Sequence, residues 1–209
     1  MERRLIFFDL ETGGLDPKRH PIIQIAAVAV DATGEAVEAF EAKIRFDPKR
    51  ANANSLRKNH YHPGIWATEA REPKEVAKEF ALFLRRHASV PALSSKGNRY
   101  EVAQLVAHNS AFDEPFLFTW YERLDLFLPA RRQALCTLQL ALWHFVISGQ
   151  KPPATFQLAT LCAHFGVPFH AAKAHEALAD VAATVQLFQA LTTQVGQSTG
   201  IAARRARAA

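Results

Sequence analysis

A chain of 209 residues, 49% hydrophobic and 22% charged, carries enough apolar mass to bury one core without disulfide support. Its net charge of +5 suits a polyanionic partner, although Arg204, Arg205 and Arg207 near the end inflate the figure. No apolar run reaches membrane-spanning length, acids interrupt the N-terminal run that a signal peptide would need, and Cys136 and Cys162, in no metal-like spacing, fit a reduced, cytoplasmic setting.

Residues 4–10 form a short continuous apolar run, the mark of a central strand covered on both faces. Residues 22–31 (IIQIAAVAVD) read as a second strand, and Asp31-Ala32-Thr33-Gly34 turns the chain into a third over residues 35–45, making a hairpin. Residues 46–73 differ in character. Lys49, Arg50, Arg57, Lys58 and Arg71 are interleaved there with asparagines and with His60, Tyr61, His62 and Trp66, and periodic apolar positions are few. This is read as a long surface segment with a short helix or two. Its aromatic cluster would either stack on single-stranded bases or pack the loop onto the sheet edge.

Val76, Phe80, Phe83 and Leu84 give one apolar face to a helix over residues 74–87. A polar loop is expected at 91–99, a short strand at 104–108 and a helix at 113–124. Further helices are expected over 138–147, 156–165 and 176–194. Hairpin first, then strands alternating with helices, implies a mixed α/β sandwich. One domain would span residues 1–194. Residues 195–209 lack a packing signal and are expected to form a disordered basic tail.

In LIFFDLETGGLDP, Asp9 and Glu11 stand two apart at the end of the first apolar run. Residues two apart in a strand share a face, so both carboxylates should project side by side. Buried and parallel, they repel unless a divalent cation bridges them, and hard oxygen ligands favour Mg²⁺ or Mn²⁺ over zinc. The alternative is a solvated strand end. Asp113, just after the 104–108 strand, would either cap a helix or face Asp9 across the sheet. Asp180 lies beside the stripe Leu178, Val181, Val185 and Phe188, close enough to reach the sheet. His175, five positions earlier, belongs on a loop before that helix, since five positions on a helix would turn it about 140° away. Either residue could equally be a helix-surface or capping group.

Together, FDLETGGL, HNSAFD and HEALADVAAT resemble the three motifs of the DnaQ-like 3′→5′ exonucleases, and the H-x(4)-D form of the third marks the DEDDh branch. The resemblance runs over residues 4–192. It implies a ribonuclease-H-like fold: a five-stranded mixed sheet, its second strand antiparallel, flanked by helices on both faces. By the same resemblance, Asp9, Glu11, Asp113 and Asp180 would hold two Mg²⁺ or Mn²⁺ ions, and His175 would be the general base for the attacking water. Thr12, Gly13 and Leu15 match positions that touch the terminal nucleotide; for Leu15 a core or turn role stays open. Asn109 and Phe112 match supports of the second motif. His108 fits strand-end packing better than ligation.

The activity implied is hydrolysis of single-stranded 3′ ends, DNA ahead of RNA, releasing nucleoside 5′-monophosphates. An RNA-trimming enzyme of the same fold is the alternative within that class, and a non-catalytic nucleic-acid- or polymerase-binding module is the alternative outside it. The resemblance leaves a polymerase or repair partner and homodimerisation open. It implies no membrane association.

Overall fold

A computed structural model describes residues 3–169 and 176–198. Its centre is a five-stranded sheet in the order β3-β2-β1-β6-β7. Strands β1 (Leu5–Thr12), β2 (Ile22–Val30) and β3 (Ala36–Lys43) form an antiparallel meander. Strands β6 (Leu105–Ala107) and β7 (Leu135–Cys136) then add in parallel to β1, with Ile6 opposite Leu105 and Ala107 opposite Cys136. The five-stranded mixed sheet expected from the sequence is what forms.

The apolar run 4–10 places β1 at the middle of the sheet, and alternation along it sends its residues to two different cores. Ile6, Phe8 and Leu10 join one core with helices α3 (Pro73–Arg86) and α4 (Ser110–Arg123). Phe7 faces the other side, where it packs edge-on against Phe188 of helix α7 (Ala177–Ser198), ring centroids 5.3 Å apart. Asp9 and Glu11 share the parity of Phe7 and so face α7. The opposite face of α7, through Ala183, Leu187 and Leu191, packs on helices α5 (Thr137–Ser148) and α6 (Leu158–His164). Buried on two sides, α7 is anchored at both layers.

Residues 46–73 carry the short helices expected of them, α1 (Ala53–Lys58) and α2 (Pro63–Glu69), preceded by a 3₁₀ turn at Pro48–Arg50. Trp66 is buried, and its Nε1 donates to the Ile23 carbonyl at 3.2 Å. Tyr61 lies edge-on to both Phe46 and Trp66. Tyr61 and Trp66 therefore pack the segment against β2, and the base-stacking reading of that pair is set aside.

Residues 91–99 are not simply a loop. Strands β4 (Val90–Leu93) and β5 (Arg99–Val102) pair as a separate hairpin. Helix α7 reaches Ser198, past the boundary expected at 194, and residues 199–209 lie outside the described residues. Cys162 is buried, Cys136 half-buried, and both are free thiols. Among the described residues no helix is long and apolar enough to cross a membrane.

Candidate active site

Three structural elements converge at the carboxyl end of β1. The strand continues to Thr12, two residues past its expected end, so Glu11 is held by pairing with Gln24 of β2. One oxygen from each of Asp9, Glu11 and Asp180 lies within 4.8 Å of the other two. Asp180 arrives from the first turn of α7, brought to the sheet by the burial of Ala177 and Val181 against Phe7.

Asp113 approaches from the other face. It is not a helix cap: Asn109 caps α4, with its backbone in the left-handed region at φ 63°, a conformation asparagine tolerates. That tight turn puts Asp113, 3% exposed, in the first turn of α4, where its Oδ1 accepts from the Leu10 amide at 3.3 Å. His175 lies outside the described residues.

The electrostatics are those of a site built for a cation. Burial and the neighbouring Asp180 push the Asp9 carboxyl up to about 7. Burial, then Asp9, Asp180 and Asp113, push Glu11 up to about 9, against an opposing pull from Lys58. Burial and Asp9 also raise Asp113 well above the usual carboxylate range. Desolvation and mutual repulsion both disfavour the charged forms, and positive charge among them would reverse both effects. The donor set of Asp9, Glu11 and Asp180 is all oxygen, and it fits a hard divalent cation.

The four acids open into a cleft of about 710 Å³. A model of the 3′-5′ exoribonuclease Rv2179c-like domain matches residues 4–192 of this sequence. The chain belongs to that family. It is a DnaQ-like 3′→5′ exonuclease with the ribonuclease-H-like fold.

Ribonuclease T of Shewanella baltica is 27% identical to this exonuclease over 192 residues, covering 88% of this chain and 78% of the relative. The PolC-type DNA polymerase III of Staphylococcus epidermidis is 32% identical over 136 residues, covering 65% of this chain and 8% of that polymerase. Among solved structures, a zinc-bound complex of E. coli Exonuclease I with single-stranded DNA superposes with a TM-score of 0.74 at 18% identity. That superposition takes in 96% of this chain but 43% of Exonuclease I, less than half of the larger protein, and it speaks for the fold alone.

Around the carboxylates, Thr12, Leu15, Asn109 and Phe112 all line the exonuclease's cleft. Leu15 is 81% exposed at its rim, so it has no core role. Phe112 packs on Phe116, centroids 5.1 Å apart, which ties the cleft wall to the core of α4. Gly13 and its neighbour Gly14 are needed by the chain itself. A Cβ on Gly13 would lie 2.8 Å from the Ala51 Cβ, and one on Gly14 would lie 2.3 Å from the His20 ring. The Thr12 hydroxyl donates to the Gly14 carbonyl at 2.7 Å and closes the turn.

His108 is occupied at both nitrogens. Nε2 donates to the Phe156 carbonyl at 2.9 Å, which leaves Nδ1 to accept from the Thr137 hydroxyl at 2.9 Å. Burial keeps its pKa low and the ring neutral near pH 7. It braces the cleft wall, as its strand-end position suggests.

Sequence reasoning missed the contribution of α1. Ser55, Lys58 and Asn59 line the cleft, and the Asn59 side-chain amide donates to the Thr12 carbonyl at 2.9 Å. The signal was present in the interleaved asparagines and lysines of residues 46–73. A six-residue helix is too short for periodicity to aim its side chains.

Proposed function

We propose that this exonuclease removes nucleotides one at a time from single-stranded 3′ ends, with two Mg²⁺ or Mn²⁺ ions as cofactors. The observation that carries this reading is the convergence of Asp9, Glu11 and Asp180 within 4.8 Å in an open cleft, with Asp113 opposite. Asp9, Glu11 and Asp180 would hold the ions together with Asp113. When bound, the ions lower the pKa of the attacking water and offset negative charge at the phosphate. His175 accepts the proton of that water as its oxygen bonds to phosphorus. The bond from phosphorus to the 3′ oxygen of the preceding nucleotide breaks, and that oxygen takes a proton from solvent. The product is a nucleoside 5′-monophosphate. Thr12 and Gly13 place the backbone beside the terminal sugar, Leu15 wedges against the base, and Asn109 and Phe112 support the wall.

The exonuclease domain in this reading runs to the end of α7 at Ser198, past the boundary at 194 expected from the sequence, and it acts in the cytoplasm, a setting that the two free thiols fit. DNA ends are the substrate expected from the motifs. The description of the matching family, together with Ribonuclease T among the relatives, favours a second reading in which the ends are RNA. The test is Mn²⁺-dependent release of 5′-monophosphates from labelled oligomers of matched DNA and RNA sequence, single-stranded and duplex. Asp9→Ala and His175→Ala should each abolish release; activity surviving in both overturns the reading.

A further inference from the structure

Beside the cleft lies a second recess, of about 500 Å³, lined by Arg19, His20, Lys49, Arg50, Ala51 and Asn52. Among the described residues no carboxylate lines it. The nearest acids in sequence are engaged by main-chain amides: Asp16 accepts from Lys18 at 2.8 Å and Asp47 from Lys49 at 3.0 Å. Among the described residues, ion pairs engage Lys43, Arg45, Arg71, Arg86, His87 and Arg132, and none engages Arg19, Lys49 or Arg50. The Arg50 guanidinium also donates to the Arg19 carbonyl at 3.2 Å, which ties the two sides of the recess together.

Two connections join this recess to the cleft. Gly14 lines the cleft, and the face of it where a side chain would stand abuts the ring of His20, which lines the recess. Helix α1 forms the second connection. Its N-cap Asn52 lines the recess, while Ser55, Lys58 and Asn59 line the cleft, about 5 to 10 Å of helix further on. The Gly13 carbonyl accepts from the Asn52 amide at 2.6 Å, so recess and cleft are held by the same backbone.

We propose that this recess is a second phosphate-binding site, which takes a phosphodiester of the strand whose 3′ end occupies the cleft. Arginine guanidinium groups and a lysine ammonium, exposed and unpaired with acids, match the chemistry of that group. The proposal rests on the exonuclease reading above and adds to it a grip on the strand beyond the scissile bond. The consequence is a substrate-length preference set by charge.

The test compares wild type with Arg19→Glu/Lys49→Glu and with the milder Arg19→Gln/Lys49→Gln, which guards against misfolding. Activity is measured on oligomers from the shortest one cleaved up to about twelve nucleotides, over a range of salt. Wild-type kcat/KM should rise with length. Both variants should keep activity on the shortest substrate and lose most of that rise. Their slope of log(kcat/KM) against log[salt] on the longest substrate should be shallower by about 1.4, from roughly 0.7 per cation removed. Unchanged length dependence and slope overturn the proposal, as does an equal loss at every length. Inhibition of wild type by inorganic phosphate that the variants relieve at every length would assign the recess to free phosphate instead, and also overturn it. Wild type inactive at all lengths would be a failure of the exonuclease reading itself.

Discussion

Lys58, the last residue of α1, supplies the charge that pulls the Glu11 carboxyl down while burial and three aspartates push it up to about 9. It lines the cleft from a segment that shares no motif with the acids. A cation in that position lowers the cost of keeping Glu11 ionised when no metal is present, and it is also within reach of a phosphate entering the cleft.

Replacing Lys58 with methionine therefore has a defined outcome. Glu11 loses its opposing charge, so it ionises at still higher pH, and the acid limb of the rate profile at limiting metal moves upward. We expect kcat/KM to fall about tenfold, equivalent to ~1.4 kcal/mol. Lys58→Arg should restore most of it. A pH profile indistinguishable from wild type would remove Lys58 from the site.

The raised carboxyls also dictate how stability depends on pH. Asp9 and Glu11 hold protons up to about 7 and about 9 when folded, against 3.8 and 4.5 as ordinary side chains. Below about pH 4 both states are protonated and these groups cost nothing. Between about pH 4 and pH 9 the folded state binds more protons, so stability falls as pH rises, and above that window the full cost is present. Thermal melts of metal-free protein should show Tm dropping from pH 5 to pH 8, with Mg²⁺ or Mn²⁺ flattening the fall. Glu11→Gln removes the cost of keeping that carboxyl protonated in the folded state at a pH where the unfolded chain ionises it. It should raise the metal-free Tm at pH 8, at about 2–4 °C per kcal/mol gained, while abolishing activity. A metal-free Tm that climbs over the same pH range would contradict the site's electrostatics.

How much of this was legible in the sequence depends on whether the cause was local. The run into Asp9 specified a buried strand, and the two-residue spacing to Glu11 put both acids on one face. The stripe Leu178, Val181, Val185 and Phe188 specified α7, with Asp180 beside it. Other features depended on tertiary context. The β4–β5 hairpin is short, begins with Val90-Pro91 and alternates partly buried with exposed positions, so its composition reads as loop. Asp113 stayed open between a helix cap and an acid facing Asp9, because the left-handed turn at Asn109 starts α4 three residues earlier than its apolar pattern suggests. The glycine pair signalled close approach correctly. What approaches it is Ala51, Pro21 and His20 of the same chain, which no local pattern could reveal.

That close approach makes Gly14→Ala informative. Its Cβ would sit 2.3 Å from the His20 ring, which accepts the Asp16 amide on Nδ1 at 3.0 Å and is not free to swing away without losing that bond. Overpacking of this kind costs about 1–3 kcal/mol. Because His20 is the obstacle, His20→Ala should recover much of the loss, giving a coupling energy in the double-mutant cycle of about 1 kcal/mol or more. Additive effects on Tm would show that the strain is relieved elsewhere.

Leu15 provides the opposite case, a residue whose loss should leave the fold untouched. At 81% exposure it contributes little burial, and Leu15→Ala should change folding stability by no more than about 0.5 kcal/mol. An apolar side chain at the cleft rim has a different value once a base lies against it, because the contact then removes apolar surface from water on both partners. We expect KM for oligonucleotides to rise about three- to tenfold, the equivalent of ~0.7–1.4 kcal/mol, with kcat little changed. Leu15→Phe, which offers a larger face at the same position, should keep KM at or below the wild-type value. Equal KM values for all three proteins would take Leu15 out of substrate binding and leave it an exposed turn residue.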